Sequence, residues 1–227
     1  MARWGLLRMP SQRKAGAVLG YVNIVVKNVV SLLYTPMVLS FVGQGDYGVF
    51  QTANNLIVSL QLLTFGFSGA YIRFYTIRSV VGDEAGVRKL NGMYLLLYLG
   101  VCIVAVVLGL VFASSCGSLF ASSFTSEEVG LAGAVMTVLT FNAATTLLST
   151  VFDAYIIAHE RFAFQQTRQM VTTLASPVLA LCLLIAGMGV VGVSLAQLAV
   201  AVVLLILNAR YAVGKLGMRF EFRGGDG

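Results

Sequence analysis

The sequence predicts an all-α, polytopic membrane protein with six transmembrane helices and both termini on the cytoplasmic side. Three observations carry that expectation. The first is composition: 58% of the 227 residues are hydrophobic and only 11% are charged, with a mean hydropathy of +0.88. A soluble domain is about 25% charged, so this chain lacks the charge to cover a water-facing surface. A soluble globular enzyme, a disordered chain, a coiled coil and a nucleic-acid-binding domain are excluded on the same ground. The second is length. Six mostly apolar stretches, 15–42, 47–72, 90–112, 129–157, 170–187 and 190–208, match the roughly 20 residues needed to cross a bilayer core. The third is the placement of the basic residues. Every Lys and Arg except Lys27 lies in one of four segments: the N-terminal segment (Arg3, Arg8, Arg13, Lys14), the connection after the second stretch (Arg73, Arg78, Arg88, Lys89), the connection after the fourth (Arg161, Arg168) and the tail (Arg210, Lys215, Arg219, Arg223). The alternate connections hold no basic residue and carry the acids Asp46, Glu127 and Glu128. Basic residues favour the cytoplasmic side, so the net charge of +6 reports orientation rather than a nucleic-acid partner.

The chain thus divides into a basic cytoplasmic segment (1–14), a six-helix bundle (15–208) and a basic cytoplasmic tail (209–227). The first stretch is too long for a signal-peptide core and lacks a clean cleavage site, so it is expected to be retained. It carries Asn23, Lys27, Ser31 and Tyr34, spaced so that they share one helical face. Lys27 lies about 18 Å beyond Ala15 at 1.5 Å per residue, near mid-depth. The second stretch has a broader polar face of Gln51, Asn54, Asn55, Ser59 and Gln61; the fourth aligns Asn142, Thr146, Ser149 and Asp153. The fifth opens with Gln165, Gln166 and Gln169, followed by Thr172, Thr173 and Ser176, and joins the sixth through a Gly-containing turn at 186–189 that predicts a helical hairpin. Pro36 and Pro177 interrupt the first and fifth stretches and permit bends. The polar, Gly-rich end of the chain from Arg219 onward is expected to be mobile.

Polar groups in hydrocarbon are costly unless paired or wet. Stripes on several helices therefore point to a shared, hydrated interior, with interhelical hydrogen bonding as the plainer reading for the Ser and Thr positions. Lys27 is read as a cation facing an anionic substrate group, against a purely structural pairing. Asp153 lies near the cytoplasmic end of its stretch, too shallow for Lys27, and Arg73 is at the better depth to meet it. Cys102, Cys116 and Cys182 show no metal-binding spacing, and Cys102 and Cys182 read as small core residues.

Enzymatic patterns are weak. Gly66-Phe67-Ser68-Gly69 matches an intramembrane serine-protease string, but the one histidine, His159, lies in a connection far from it. There is no phosphate-binding G-x-x-x-x-G-K-[ST] and no H-E-x-x-H. The chain is therefore expected to be no enzyme, to need no cofactor or metal, and to draw on an ion gradient or a partner for energy.

Three strings, in order and spacing, resemble the oligosaccharide-lipid flippases, a family within the superfamily that also holds the multidrug and toxin extruders. Val42-Gly43-Gln44-Gly45-Asp46-Tyr47-Gly48-Val49-Phe50 is similar to that family's LG-x-x-x-YG element between its first two helices. Phe65-Gly66-Phe67-Ser68-Gly69-Ala70-Tyr71-Ile72-Arg73 is similar to the stretch ending its second helix, and Ala158-His159-Glu160-Arg161-Phe162 to its loop after helix four. The resemblance implies one lobe of a two-lobe exporter fold. Family members usually carry two six-helix lobes, so the chain looks like the N-terminal lobe and the start of a linker: a fragment, a truncated product, or one of two polypeptides. It implies movement of lipid-linked oligosaccharide across the cytoplasmic membrane of a bacterium for surface polysaccharide, with a second lobe or a second copy as partner. On that reading Lys27 would contact the lipid pyrophosphate and Arg73 would act at the entrance. Asn23, Asn54 and Asn55 would line the path, and Asp153 would couple to a proton or sodium ion. A multidrug or cation extruder of the same superfamily, and a non-transporting assembly subunit, are the alternatives.

Overall fold

A computed structural model describes residues 9–64, 66–120 and 125–222. Arg3, Arg8, Phe65 and Arg223 lie outside them. Among the described residues the regular structure is entirely helical. Helix α1 spans Met9–Gln61 and runs into a 3-10 turn, Leu62–Thr64; α2 is Phe67–Val81, α3 Glu84–Ser114, α4 Cys116–Phe120, α5 Ser126–Ala158, α6 Phe162–Ile185 and α7 Gly189–Ala209, continued by a π-helical turn, Arg210–Lys215. Five of these helices are long and apolar enough to cross a membrane.

The first of the five contains two of the expected stretches. Its 53 residues reach about 80 Å at 1.5 Å each, well over twice a bilayer core of about 30 Å. The break falls at Gly43, whose φ of 77° and ψ of 175° lie outside helical geometry in a region open only to glycine. The break falls within the expected connection between stretches one and two. The second stretch, expected to be continuous over 47–72, is not. The helix ends at Gln61, where Thr64 Oγ1 donates to the Gln61 carbonyl at 2.8 Å, and α2 restarts after Gly66 in a left-handed conformation with φ 88°.

Local chemistry explains the other helix starts. Asp83 caps α3, its carboxylate accepting from the Gly86 N–H at 2.8 Å. Thr125 and Glu128 form a reciprocal capping box at the start of α5, with the Glu128 carboxylate accepting from the Thr125 N–H at 2.8 Å. The expected hairpin of α6 and α7 forms across Gly187, φ 83°. Helix α6, however, begins at Phe162 rather than 170. The polar run 165–169 reads as a loop in sequence, yet its side chains find partners on neighbouring helices, so the helix continues through it.

Helix α5 is central, packing against α7, α3, α1 and α2. The interior divides into two apolar clusters at opposite ends. One joins Val38, Val49 and Ile57 of α1 to Val135, Met136 and Leu139 of α5 and Val190 and Val193 of α7. The other joins Tyr71, Tyr94, Tyr98, Val151 and Ile156 to Met218 beyond α7. The basic segments gather at the second end. Gly16 lies against Phe162, Tyr75 bonds His159, and the Arg88 carbonyl accepts from the Glu221 N–H at 3.1 Å. The charge alternation read from the sequence is thus a spatial asymmetry. The expectation of a mobile end covers 219–227, of which 223–227 lie outside the described residues; for 219–222 the structure shows fixed contacts instead. Asn91 Nδ2 donates to the Arg219 carbonyl at 2.9 Å and Arg88 pairs with Glu221 at 3.5 Å, which pins residues 219–222 across α3.

Candidate functional site

Polar side chains converge where α5, α6 and α7 meet. Arg168, on the second turn of α6, is only 9% exposed. Its Nη2 donates to Asp153 Oδ1 at 2.7 Å, and its Nη1 donates to Asn208 Oδ1. Asn208 Nδ2 in turn donates to Ser149 Oγ at 2.8 Å. Ser149 and Asp153 stand one turn apart on α5, so both face the same seam. The guanidinium Nε is buried and has no partner among the described residues. A charge withdrawn from water is tolerated when paired and hydrogen-bonded, and this network supplies both. Beside it, Asn23 of α1 is 8% exposed and its Nδ2 donates to Gln166 Oε1 at 3.4 Å, leaving Oδ1 without a partner among the described residues. Gly16 makes this approach possible, because a Cβ there would overlap Phe162.

The pairing of Asp153 with Arg73 does not form. Arg73 is exposed on α2, and Arg168 takes the carboxylate instead because the early start of α6 carries it into the bundle. The usable signal was present: a lone carboxylate aligned with Ser149 on one face, and an arginine inside a run of glutamines.

The remaining expected site residues do not share one enclosed cavity. The bundle interior is filled by apolar clusters. Asn54 is half-buried and Asn55 exposed on the part of α1 beyond Gly43. Lys27 is exposed, yet it lies on the packed stripe of its helix, about 40° from Asn23 at 100° per residue. Asn23 and Val38 on that stripe are buried, whereas Lys27 and Ser31 between them are exposed. Between them Val30 and Tyr34, within about 20° of Asn23, are partly buried, so Lys27 and Ser31 flank the contact and face outward, about 27 Å from Met9 and 24 Å from Gly43 along the helix. No hydrogen bond or ion pair among the described residues engages Lys27. Cys102 and Cys116 are buried, but Cys182 is exposed on the outside of the bundle and is not a core residue.

One polar assembly was not foreseen. Tyr71 donates to Asn91 Oδ1 at 2.6 Å, Tyr94 donates to Tyr98 at 3.3 Å, and the Tyr71 and Tyr94 rings lie 4.5 Å apart. This ladder fills the seam of α2 and α3 beside the helix break. Its signal was two tyrosine pairs at four-residue spacing, Tyr71/Tyr75 and Tyr94/Tyr98. At its end, His159 Nδ1 lies 2.9 Å from the Tyr155 carbonyl, which makes it the donor and leaves Nε2 to accept from the Tyr75 hydroxyl at 3.0 Å. Burial pushes the His159 pKa below its ordinary value, against the carbonyl bond, and Arg161 adds to the lowering.

Long apolar helices holding a buried ion pair define a helical membrane protein. Compared with family models, curated proteins and solved structures, the chain matches none. Among the described residues no group of His, Cys, Asp and Glu is placed to hold a metal ion.

Proposed function

We propose that the chain is one lobe of a carrier that moves an anionic lipid-linked oligosaccharide across the cytoplasmic membrane of a bacterium. The lobe crosses the membrane six times, with Gly43 at the outer turn between the first two crossings and both termini in the cytoplasm. The observation that carries this reading is Lys27. An ammonium at mid-length of an apolar helix is too costly to face lipid hydrocarbon. The exposed side of α1 at Lys27 therefore meets water, an anionic headgroup, or the polar face of a second lobe or second copy. The basic end of the bundle supports the orientation, and the three strings similar to the oligosaccharide-lipid flippases support the substrate class. In this mechanism Lys27 holds the pyrophosphate, Arg73 meets it at the cytoplasmic mouth, and Asn23, Asn54 and Asn55 offer hydrogen bonds to sugar hydroxyls. Asp153 serves as the coupling carboxylate, with Arg168 as the cation it exchanges for a proton or sodium ion.

The test is scrambling of a fluorescent isoprenoid-pyrophosphate sugar in vesicles containing the full chain. Lys27→Ala is expected to slow transfer at least tenfold with unchanged thermal unfolding, and Lys27→Arg to retain it. Unaltered transfer in Lys27→Ala refutes the site. Absence of transfer by the unsubstituted chain, alone and with a candidate second lobe, favours an assembly subunit, and transfer of a cationic dye instead favours an extruder.

A further inference from the structure

The outer face of the α6–α7 hairpin carries a groove of about 520 Å³. Its walls are apolar, formed by Ala175 and Leu179 of α6 and Ala199, Val203 and Leu207 of α7, and Arg168 closes one end. From Arg168 to Leu179 the helix advances about 16 Å, close to half the ~30 Å bilayer core. The groove thus extends from near one interface toward the middle of the membrane, the depth that one acyl chain occupies. At its charged end Arg168 is nine-tenths buried and already donates to Asp153 and Asn208, so its charge is met inside the bundle. Arg161 and Arg210, the residues bounding α6 and α7 at that same end, are both exposed.

We propose that this groove holds an acidic phospholipid of the surrounding bilayer, its acyl chain along α6 and α7 and its phosphate at the exposed Arg161 and Arg210. Charge complementarity selects the occupant. An apolar trough alone takes any hydrocarbon chain, whereas exposed arginines one turn beyond its lining residues Phe164 and Leu207 select a lipid bearing a net negative headgroup. The site lies on the outside of the bundle and does not require the chain to transport anything.

Native mass spectrometry of the full chain in detergent micelles tests this with three lipids of matched acyl chains: phosphatidylglycerol, phosphatidylcholine and diacylglycerol. Phosphatidylglycerol is expected to bind at least tenfold more tightly than diacylglycerol and at least threefold more tightly than phosphatidylcholine. Ala199→Trp fills the groove from an exposed position and leaves the Arg168–Asp153 pair intact; it is expected to weaken phosphatidylglycerol binding at least tenfold. Val107→Trp, of equal bulk on the exposed face of α3, is expected to leave it unchanged. Binding of the three lipids within twofold of one another, or undiminished binding by Ala199→Trp, overturns the proposal.

Discussion

Replacing Arg168 by Met removes the cation from the polar seam and leaves Asp153 with a carboxylate that loses its 2.7 Å donor. It also strips Asn208 Oδ1 of its guanidinium donor. The Asp153 side chain is 25% exposed and Arg168 8%, so water compensates little of either loss. A hydrogen bond to a charged group contributes about 1.5–3 kcal/mol, and breaking a buried pair from one side costs about 3–5 kcal/mol. Arg168→Met is therefore expected to lower stability by about 3–5 kcal/mol, and Asp153→Leu by a similar amount because it strands the guanidinium. The double variant leaves no orphan charge. What remains is the unmet Asn208 acceptor, a cost of about 1–3 kcal/mol, while Asn208 keeps its bond to Ser149. The double variant should thus be more stable than either single one. Equilibrium unfolding in mixed micelles reads all four corners of the cycle. A double variant as unstable as the sum of the two single changes would show that the pair is not a coupled unit, and the reasoning about the seam fails.

Three further outcomes follow from other contacts. Gly109 presses α3 onto α5 so closely that a Cβ there would overlap Thr140 Oγ1 and Cγ2 and sit 2.9 Å from its Cβ; Gly109→Ala should cost about 1–3 kcal/mol in thermal unfolding, and adding Thr140→Ala, which removes Oγ1 and Cγ2 but keeps Cβ, should recover only part of it. Tyr71→Phe leaves the buried Asn91 Oδ1 without its 2.6 Å donor and should cost about 1–3 kcal/mol, while Tyr21→Phe, on an exposed residue, should change nothing measurable. His159 has a lowered pKa in the folded protein, so the unfolded chain binds its proton first as pH falls. Stability should be full above about pH 6.5 and decline below it, and His159→Gln should flatten that decline; an unchanged slope in the variant would remove His159 as its source.

The helical, membrane-embedded character was readable from composition and run length because both follow from bilayer thickness and from the cost of burying charge, neither of which depends on how helices pair. The clustering of Arg and Lys at one end was readable for the same reason, and the helix break at Gly43 falls in the connection the apolar run lengths left at 43–46. The network of Asp153, Arg168, Asn208 and Ser149 was not. Its members lie on three helices, and whether a polar run such as 165–169 ends a helix or satisfies it depends on which neighbours arrive beside it. Asn23 is buried where Gly16 lets α1 reach α6. Lys27 shows the same division: its depth along the helix is a matter of counting residues, but its exposure beside the partly buried Val30 and Tyr34 is set by how α1 is turned against the bundle.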